Sequence, residues 1–356
     1  MNQFNFYNPT KIIFGRDRFN ELNHLVPKDA KVLVLFGTLD RVLAALPNRE
    51  ILEFGGIEAN PRYETLMKAV DLVRAEKIDF LLAVGGGSVI DGTKFIALAS
   101  YYEGDGLDLL RDRSITANLK QALPLAAVLT LAATGSEMNR GGVVSSPIGK
   151  LGFGNDLVFP KFSLVDPSLT FTLPETQVAN GVVDTFVHVM EQYMTYPAEG
   201  RFQDRTSEGI LKTLIEIGRA TIDNPTDYDL RANLVWCATM GLNGLIGAGV
   251  PQDWATHRIG HELTALFGID HAKTLAIIMP SLWNIMRETK REKLLQYGER
   301  VLNITTGSEE NRIDQIIETT RQFFESLGIK TRLSDYGIGA DQIDSILAAL
   351  ESHHMT

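Results

Sequence analysis

The stretch Phe80-Leu81-Leu82-Ala83-Val84 runs straight into Gly85-Gly86-Gly87-Ser88, and the residues after it, Val89 to Ile96, can open a helix. Strand, glycine turn and helix in immediate succession make a βα unit, which commits this part of the chain to a sheet with helical crossovers. Around it, short β-branched or leucine-rich runs at 31–36, 123–131 and 162–165 read as further buried strands alternating with helical patterns. Parallel pairing is the economical reading. From about Thr172 the pattern changes: 174–194, 206–222, 255–267 and 311–327 have helical spacing, with no convincing strand among them. Thr172, Pro174 and Glu175 suit a helix start of the capping-box kind, just after Asp166-Pro167. The expected fold is an α/β domain over 1–171 followed by an all-α domain over 172–356, packed directly with a cleft between them.

The glycines let the main chain turn sharply and approach a phosphate, while free N–H groups and the positive end of the helix dipole stabilise an anion. The functional reading is a dinucleotide pyrophosphate site; the plain alternative is a tight βα connection. Two better-known fingerprints fail: Ile90 stands where the Rossmann pattern needs glycine, and Gly92 is followed by Thr93-Lys94 rather than Lys-Ser/Thr. A second small-polar turn, Thr130-Leu131-Ala132-Ala133-Thr134-Gly135-Ser136-Glu137, could bring hydroxyls to the same nucleotide.

With 356 residues, 44% of them apolar, the chain can bury a large core. A formal net charge of −10 argues against a nucleic-acid partner, which needs a basic face, and for a small diffusible substrate. The one cysteine, Cys237, lies in an apolar run and forms no internal disulfide, as fits a reducing compartment. No leader pattern or membrane-spanning run is present, so the expected location is the cytoplasm.

Four of the seven histidines, His188, His257, His261 and His271, fall in the helical half. Asp184 and His188 stand four apart in a helical pattern and share a face; His257 and His261 repeat the spacing, and Gly268 is a plausible helix stop that returns His271 toward them. Singly, each reads as a surface or hydrogen-bonded histidine. Together, three imidazoles and a carboxylate on apolar helices would be costly to bury without a cation. A zinc-protease motif is excluded, because His261-Glu262-Leu263-Thr264 is followed by Ala265 and not histidine. No Gly-x-Ser-x-Gly elbow occurs, and Cys237 has no electropositive neighbour in sequence.

With both sites in view, the chain resembles the iron-containing (group III) alcohol dehydrogenases, and among them the bacterial NADPH-dependent aldehyde reductases and butanol dehydrogenases. The motifs run nearly end to end: Asn5-Phe6 through Ile13-Phe14-Gly15, Gly85 through Asp91, Thr134-Gly135-Ser136-Glu137, Asp166-Pro167, Gly181-Val182-Val183-Asp184 through His188, and Gly260-His261-Glu262-Leu263 through His271. The resemblance implies the dehydroquinate synthase-like fold of that family: an α/β dinucleotide-binding domain and an all-helical metal domain. It implies Asp184, His188, His257 and His271 as ligands of one divalent ion, Fe²⁺ or Zn²⁺, with His261 facing substrate and nicotinamide to relay a proton. It also puts Gly86, Gly87, Ser88 and Asp91 at the pyrophosphate and ribose, Thr130, Thr134, Ser136 and Lys150 along the nucleotide, and Gly37 and Thr38 at its adenosine end. A homodimer is implied as well.

After the strand at 32–36, Gly37 occupies the place where NAD-using relatives carry an aspartate that would repel a 2′-phosphate, so NADP(H) is expected over NAD(H). The segment after Gly37 is shorter than in such relatives and passes directly to Thr38-Leu39-Asp40-Arg41, and the chain reaches Thr356 short of their final helix. The expected reaction is reduction of a small, mostly apolar aldehyde, with the ion polarising the carbonyl and hydride coming from the nicotinamide. Trp254, Leu263, Leu266 and Phe267, close to the histidines in sequence, are the expected apolar lining. The alternatives are a polyol oxidation like that of glycerol dehydrogenase, a lyase resembling dehydroquinate synthase, and a non-catalytic nucleotide-binding protein.

Overall fold

The computed structural model describes residues 1–36 and 40–353. It divides into two compact units, Tyr7–Thr172 and Leu173–Thr356, the second joined by Met1–Phe6. That N-terminal segment is held there by the Asn2 N–H, which donates to the Gly249 carbonyl at 2.8 Å.

The first unit is built on six parallel strands: β1 (Lys11–Phe14), β2 (Lys31–Phe36), β3 (Glu50–Gly55), β4 (Phe80–Gly85), β5 (Leu125–Leu129) and β8 (Phe162–Val165). Their order across the sheet is β1-β8-β5-β4-β2-β3. β4 is buried along its whole length, which is why its sequence is a continuous apolar run rather than an alternating one. Val32, Val34, Phe80, Leu82, Val84, Ala126, Val128 and Leu164 share one core cluster with Leu22, Val26 and Leu46. Two glycine-rich strands, β6 (Gly141–Ser146) and β7 (Gly149–Gly154), form a separate antiparallel hairpin.

From β2 the chain crosses first to β3 on one side and then to β4 on the other. The strand order therefore reverses between β2 and β4, and open α/β sheets bind ligands outside the carboxyl ends of the strands at such a reversal. Register aligns those ends: Phe36 lies beside Val84, and Gly85 beside Leu129. The glycine turn after β4 thus stands at the position in the sheet where a nucleotide is expected. It leads into a helix at Gly87–Ala99, here α2, which follows α1 at Tyr63–Glu76.

The second unit is helical, and among the described residues no strand follows Val165. Its main helices are α3 (Glu175–Tyr193), α4 (Arg201–Asp223), α5 (Tyr228–Gly241), α6 (Ala255–Phe267), α7 (His271–Ile285), α8 (Arg291–Arg300), α9 (Glu309–Ser326) and α10 (Ile343–Ser352). Gly181 to Tyr193 of α3 are all buried, so α3 is the central helix of this unit. The expected capping box does not form: α3 begins at Glu175, with Pro174 as an N-cap that makes no side-chain hydrogen bond. A helix starting after Thr172 would need Leu173 in the helical region, which the following proline disfavours. No helix of the described residues is long and apolar enough to cross a membrane.

α6 ends at Gly268, whose φ of +67° is a left-handed helix stop, and α7 opens three residues later at His271. The two helices approach closely at Gly260, where an added Cβ would come within 2.8 Å of Thr274 Oγ1 and 3.1 Å of Leu275 Cδ2. Thr274 is buried and its hydroxyl donates to the His271 carbonyl, so it yields only by losing that bond. Gly260→Ala is expected to cost about 1–3 kcal/mol through overpacking. Thermal denaturation should show this as a melting temperature lower by roughly 3–10 °C.

Candidate functional site

Asp184 and His188 project from one face of the buried helix α3, and His257 and His271 come to meet them from α6 and the first residue of α7. Asp184 Oδ1 lies 3.6 Å from His188 Nδ1, 3.8 Å from His257 Nε2 and 3.7 Å from His271 Nε2. His188 Nε2 and His257 Nε2 face each other at 3.1 Å. Asp184, His188 and His257 each offer a ligand atom within 4.8 Å of the others, and all three are buried. The sequence-predicted quartet is therefore gathered around one carboxylate oxygen.

This arrangement fits a divalent cation. Two nitrogens bound to one ion at about 2.1 Å and near-tetrahedral angles stand roughly 3.4 Å apart, close to the His188–His257 separation. His188 Nδ1 is buried and makes no hydrogen bond, an acceptor or donor left without a protein partner. Three imidazoles and a carboxylate suit Zn²⁺ and Fe²⁺ alike.

Glu191, which the sequence reading passed over, organises the centre from one turn beyond His188 on α3. Its carboxylate accepts the His257 backbone N–H at 3.2 Å and pairs closely with His257 Nδ1. A carboxylate on Nδ1 fixes the ring tautomer and turns the Nε2 lone pair toward Asp184 and His188. Burial alone would lower the His257 pKa, but the charges of Glu191 and Asp184 outweigh it and lift it to about 9. His188 shows the opposite balance: burial dominates over Asp184 and pushes it down to about 4.

His261 sits one turn after His257 on α6, half-buried, with its ring 5.0 Å from that of His271 and 6.2 Å from that of His257. Trp254 borders the cluster, its ring 5.3 Å from His257 and 6.1 Å from His188. The expected contribution of three other apolar residues does not hold. Leu263 is core, Leu266 is 43% exposed, and Phe267 packs on the Ile269, Ile277 and Ile338 cluster. The α6 surface that carries the histidines is a different one from that which carries Leu266. Asp253, next to Trp254, is held by the buried Lys290, whose Nζ donates to it at 2.6 Å and to the Met194 carbonyl at 2.8 Å.

In the first unit, Gly86 caps α2 without a side chain, and Gly87 opens it. A Cβ on Gly87 would run into Thr134 Oγ1, and one on Gly85 would lie 2.6 Å from Val89 Cγ2, so neither position admits a larger residue without a shift. The first N–H groups of a helix have no partner within it and are free to face an anion. Ser88 Oγ accepts the Asn60 N–H at 3.3 Å. Thr134 Oγ1 donates to Ser136 Oγ at 2.9 Å, and Ser136 donates to Asp91 Oδ1 at 2.6 Å. Asp91 is buried and its other oxygen accepts the Val143 N–H at 2.9 Å, so its carboxylate is engaged within the chain. Thr130 follows β5 and is half-buried, with its N–H on the Gly85 carbonyl at 3.1 Å. Lys150 lies on β7 opposite Ser145 and acts electrostatically on Asp91. Gly37 and Thr38 lie outside the described residues.

A family model described as iron-containing alcohol dehydrogenase matches residues 9–167, and its C-terminal counterpart, the Fe-containing alcohol dehydrogenase family C-terminal model, matches 178–355. The chain belongs to the iron-containing alcohol dehydrogenase family. Within that family it is 55% identical to the NADPH-dependent aldehyde reductase YqhD of Escherichia coli, over 100% of this chain and 95% of that protein. A crystal structure of E. coli YqhD superposes with a TM-score of 0.97 at 54% identity, covering 100% of this chain and 94% of that one. NADH-dependent butanol dehydrogenase A from Thermotoga maritima superposes at 0.93 with 33% identity, covering 99% and 91%. The fold of this dehydrogenase is thus that of the family.

The raised pKa of His257 gives metal uptake a definite pH dependence. Below about 9 the metal-free ring carries a proton that a cation must displace, so affinity should rise with pH and level off near 9. Calorimetric titration of metal-stripped protein with Zn²⁺ at pH 7, in buffers of different ionisation enthalpy, should show about one proton released. Glu191→Gln should weaken zinc binding by about 10–100-fold.

Proposed function

We propose that this chain is an NADPH-dependent reductase of small, mostly apolar aldehydes, acting at one divalent ion, Fe²⁺ or Zn²⁺, held by Asp184, His188, His257 and His271. The observation that carries the reading is the buried carboxylate with three imidazoles converging on one of its oxygens, in a dehydrogenase matched end to end by an NADPH-dependent aldehyde reductase. When bound, the ion supplies a Lewis acid that polarises the carbonyl, and the reduced nicotinamide supplies the hydride.

The protein's own contribution is orientation and proton handling. Glu191 keeps the His257 proton on Nδ1, which leaves Nε2 available as a ligand. His261 is on the same helix as His257 without being part of the quartet; half-buried, it delivers the proton that the product oxygen requires. Trp254 offers an indole face to an apolar chain beside the ion. The helix start at Gly86, Gly87 and Ser88 receives the pyrophosphate, with Thr130, Thr134 and Lys150 further along the nucleotide and Asp91 and Ser136 supporting them. Gly37 supports NADPH over NADH, since it offers no carboxylate to repel a 2′-phosphate. The preference carries information because relatives at lower identity are named NADH-dependent butanol dehydrogenases.

Cytoplasmic residence and a homodimer complete the proposal. The acidic composition and lone buried cysteine support the first, and kinship with the family supports the second. Neither polyol oxidation nor a lyase reaction is favoured by the matches, and a lyase would return its nucleotide unchanged.

Mixing metal-replete protein with NADPH and butyraldehyde should give a steady fall in absorbance at 340 nm, with kcat/KM at least about tenfold lower for NADH, a difference of roughly 1.4 kcal/mol. A flat trace from fully metallated protein would overturn the reading. His261→Ala should lower kcat by about 10²–10⁴-fold while metal content stays at one ion per chain.

A further inference from the structure

Lys94 is fully buried within α2, two turns after the glycine turn, and none of the chemistry above uses it. A buried ammonium is costly unless its donors are satisfied. Here Nζ donates to Asn139 Oδ1 at 2.8 Å and to the Gly141 carbonyl at 2.7 Å. Burial pulls the Lys94 pKa down to about 8, with the nearby carboxylates of Asp91 and Glu137 acting to keep the charge.

What these bonds hold is the turn that follows β5. Asn139 Oδ1 also accepts the Gly141 N–H at 3.1 Å, and Asn139 Nδ2 donates to the Gly135 carbonyl at 3.0 Å. Gly135 itself has a φ of +59°, a conformation that its lack of a Cβ permits and that the Asn139 bond to its carbonyl helps to fix. One turn earlier on the same helix, Asp91 takes Ser136 Oγ and the Val143 N–H. Two ionic side chains three residues apart on α2 therefore hold the segment 136–143. They set where Thr134 stands relative to Gly87 at the mouth of the helix. An apolar side chain at 94 would fill the same space at less desolvation cost, but could not direct a polar turn.

We infer that Lys94 is a positioning residue for the nucleotide, fixing the Thr134–Ser136 turn against the start of α2 so that the turn borders the same phosphates that the first N–H groups of the helix receive. This rests on the reading that the glycine turn and Thr134 receive NADPH.

The test is NADPH affinity, measured by the fluorescence of the bound nucleotide on metal-replete protein, beside steady-state kinetics. Lys94→Met should weaken NADPH binding by about tenfold and raise its KM in proportion, with kcat at saturating NADPH and KM for butyraldehyde within about twofold of wild type. General loosening of the fold would not give that split. Asn139→Ala, at a half-buried position, removes one acceptor and should show the same pattern at a smaller, severalfold size. If Lys94→Met is insoluble, unchanged affinity in Asn139→Ala is enough to overturn the inference. A wild-type chain that takes up no NADPH overturns the reading of the site and this inference with it. Wild type that binds NADPH while both variants bind it equally well overturns this inference alone.

Discussion

The carboxylate of Asp184 sits in the stretch of α3 that is buried on all sides, with three imidazole rings turned toward one of its oxygens. Left to themselves these groups are poor company in a low-dielectric interior, and their opposite pKa displacements record the conflict: His257 is pulled up by carboxylates on two sides, while burial drives His188 down. A divalent cation held there would resolve it by giving the inward lone pairs a common partner. The rest of the helical unit is arranged to keep that meeting point in place. α3 supplies two groups at helical spacing, the Gly268 stop returns the chain so that α7 opens on a third histidine, and the close approach at Gly260 holds α6 against α7.

Outside the quartet, fixed charges do the orienting. Glu191 binds both the backbone and the ring of His257, so the helix that carries a histidine and the tautomer of that histidine are set by one side chain. Lys290 and Asp253 brace the segment that carries Trp254. In the α/β unit Asp91 and Lys94 do comparable work for the turn after β5. Each of these groups is buried or half-buried and satisfied, which distinguishes them from surface ion pairs of little energetic weight.

Much of the architecture was legible from the sequence, and for a clear reason. Strands β2 and β8 and helix α6 coincide with the predicted spans because central parallel strands and an amphipathic helix write their burial directly into apolar pattern. β3 and the β6–β7 hairpin left no such trace, since β3 is a sheet-edge strand with exposed glutamates at its first and fourth positions and the hairpin is rich in glycine. The start of α4 was missed because Arg201-Phe202-Gln203-Asp204-Arg205 is mostly polar. At the site, spacing of four picked out Asp184 with His188 and His257 with His261, whereas Glu191 and Lys94 resemble ordinary helix charges until their distant partners are known. Glu191 meets a histidine 66 positions away and Lys94 an asparagine 45 away, separations that no local pattern encodes. The apolar lining failed for a related reason: nearness in sequence to His261 put Leu266 on the same helix but on its solvent side.

The central claim, that one cation is shared by Asp184, His188, His257 and His271, is tested most directly by anomalous X-ray diffraction from crystals of protein purified without chelator. The account predicts a single strong anomalous peak per chain, at about 2.0–2.2 Å from an Asp184 oxygen and from one nitrogen of each histidine. A fully active preparation whose crystals show no peak among these four side chains, or a peak bound elsewhere, would contradict it.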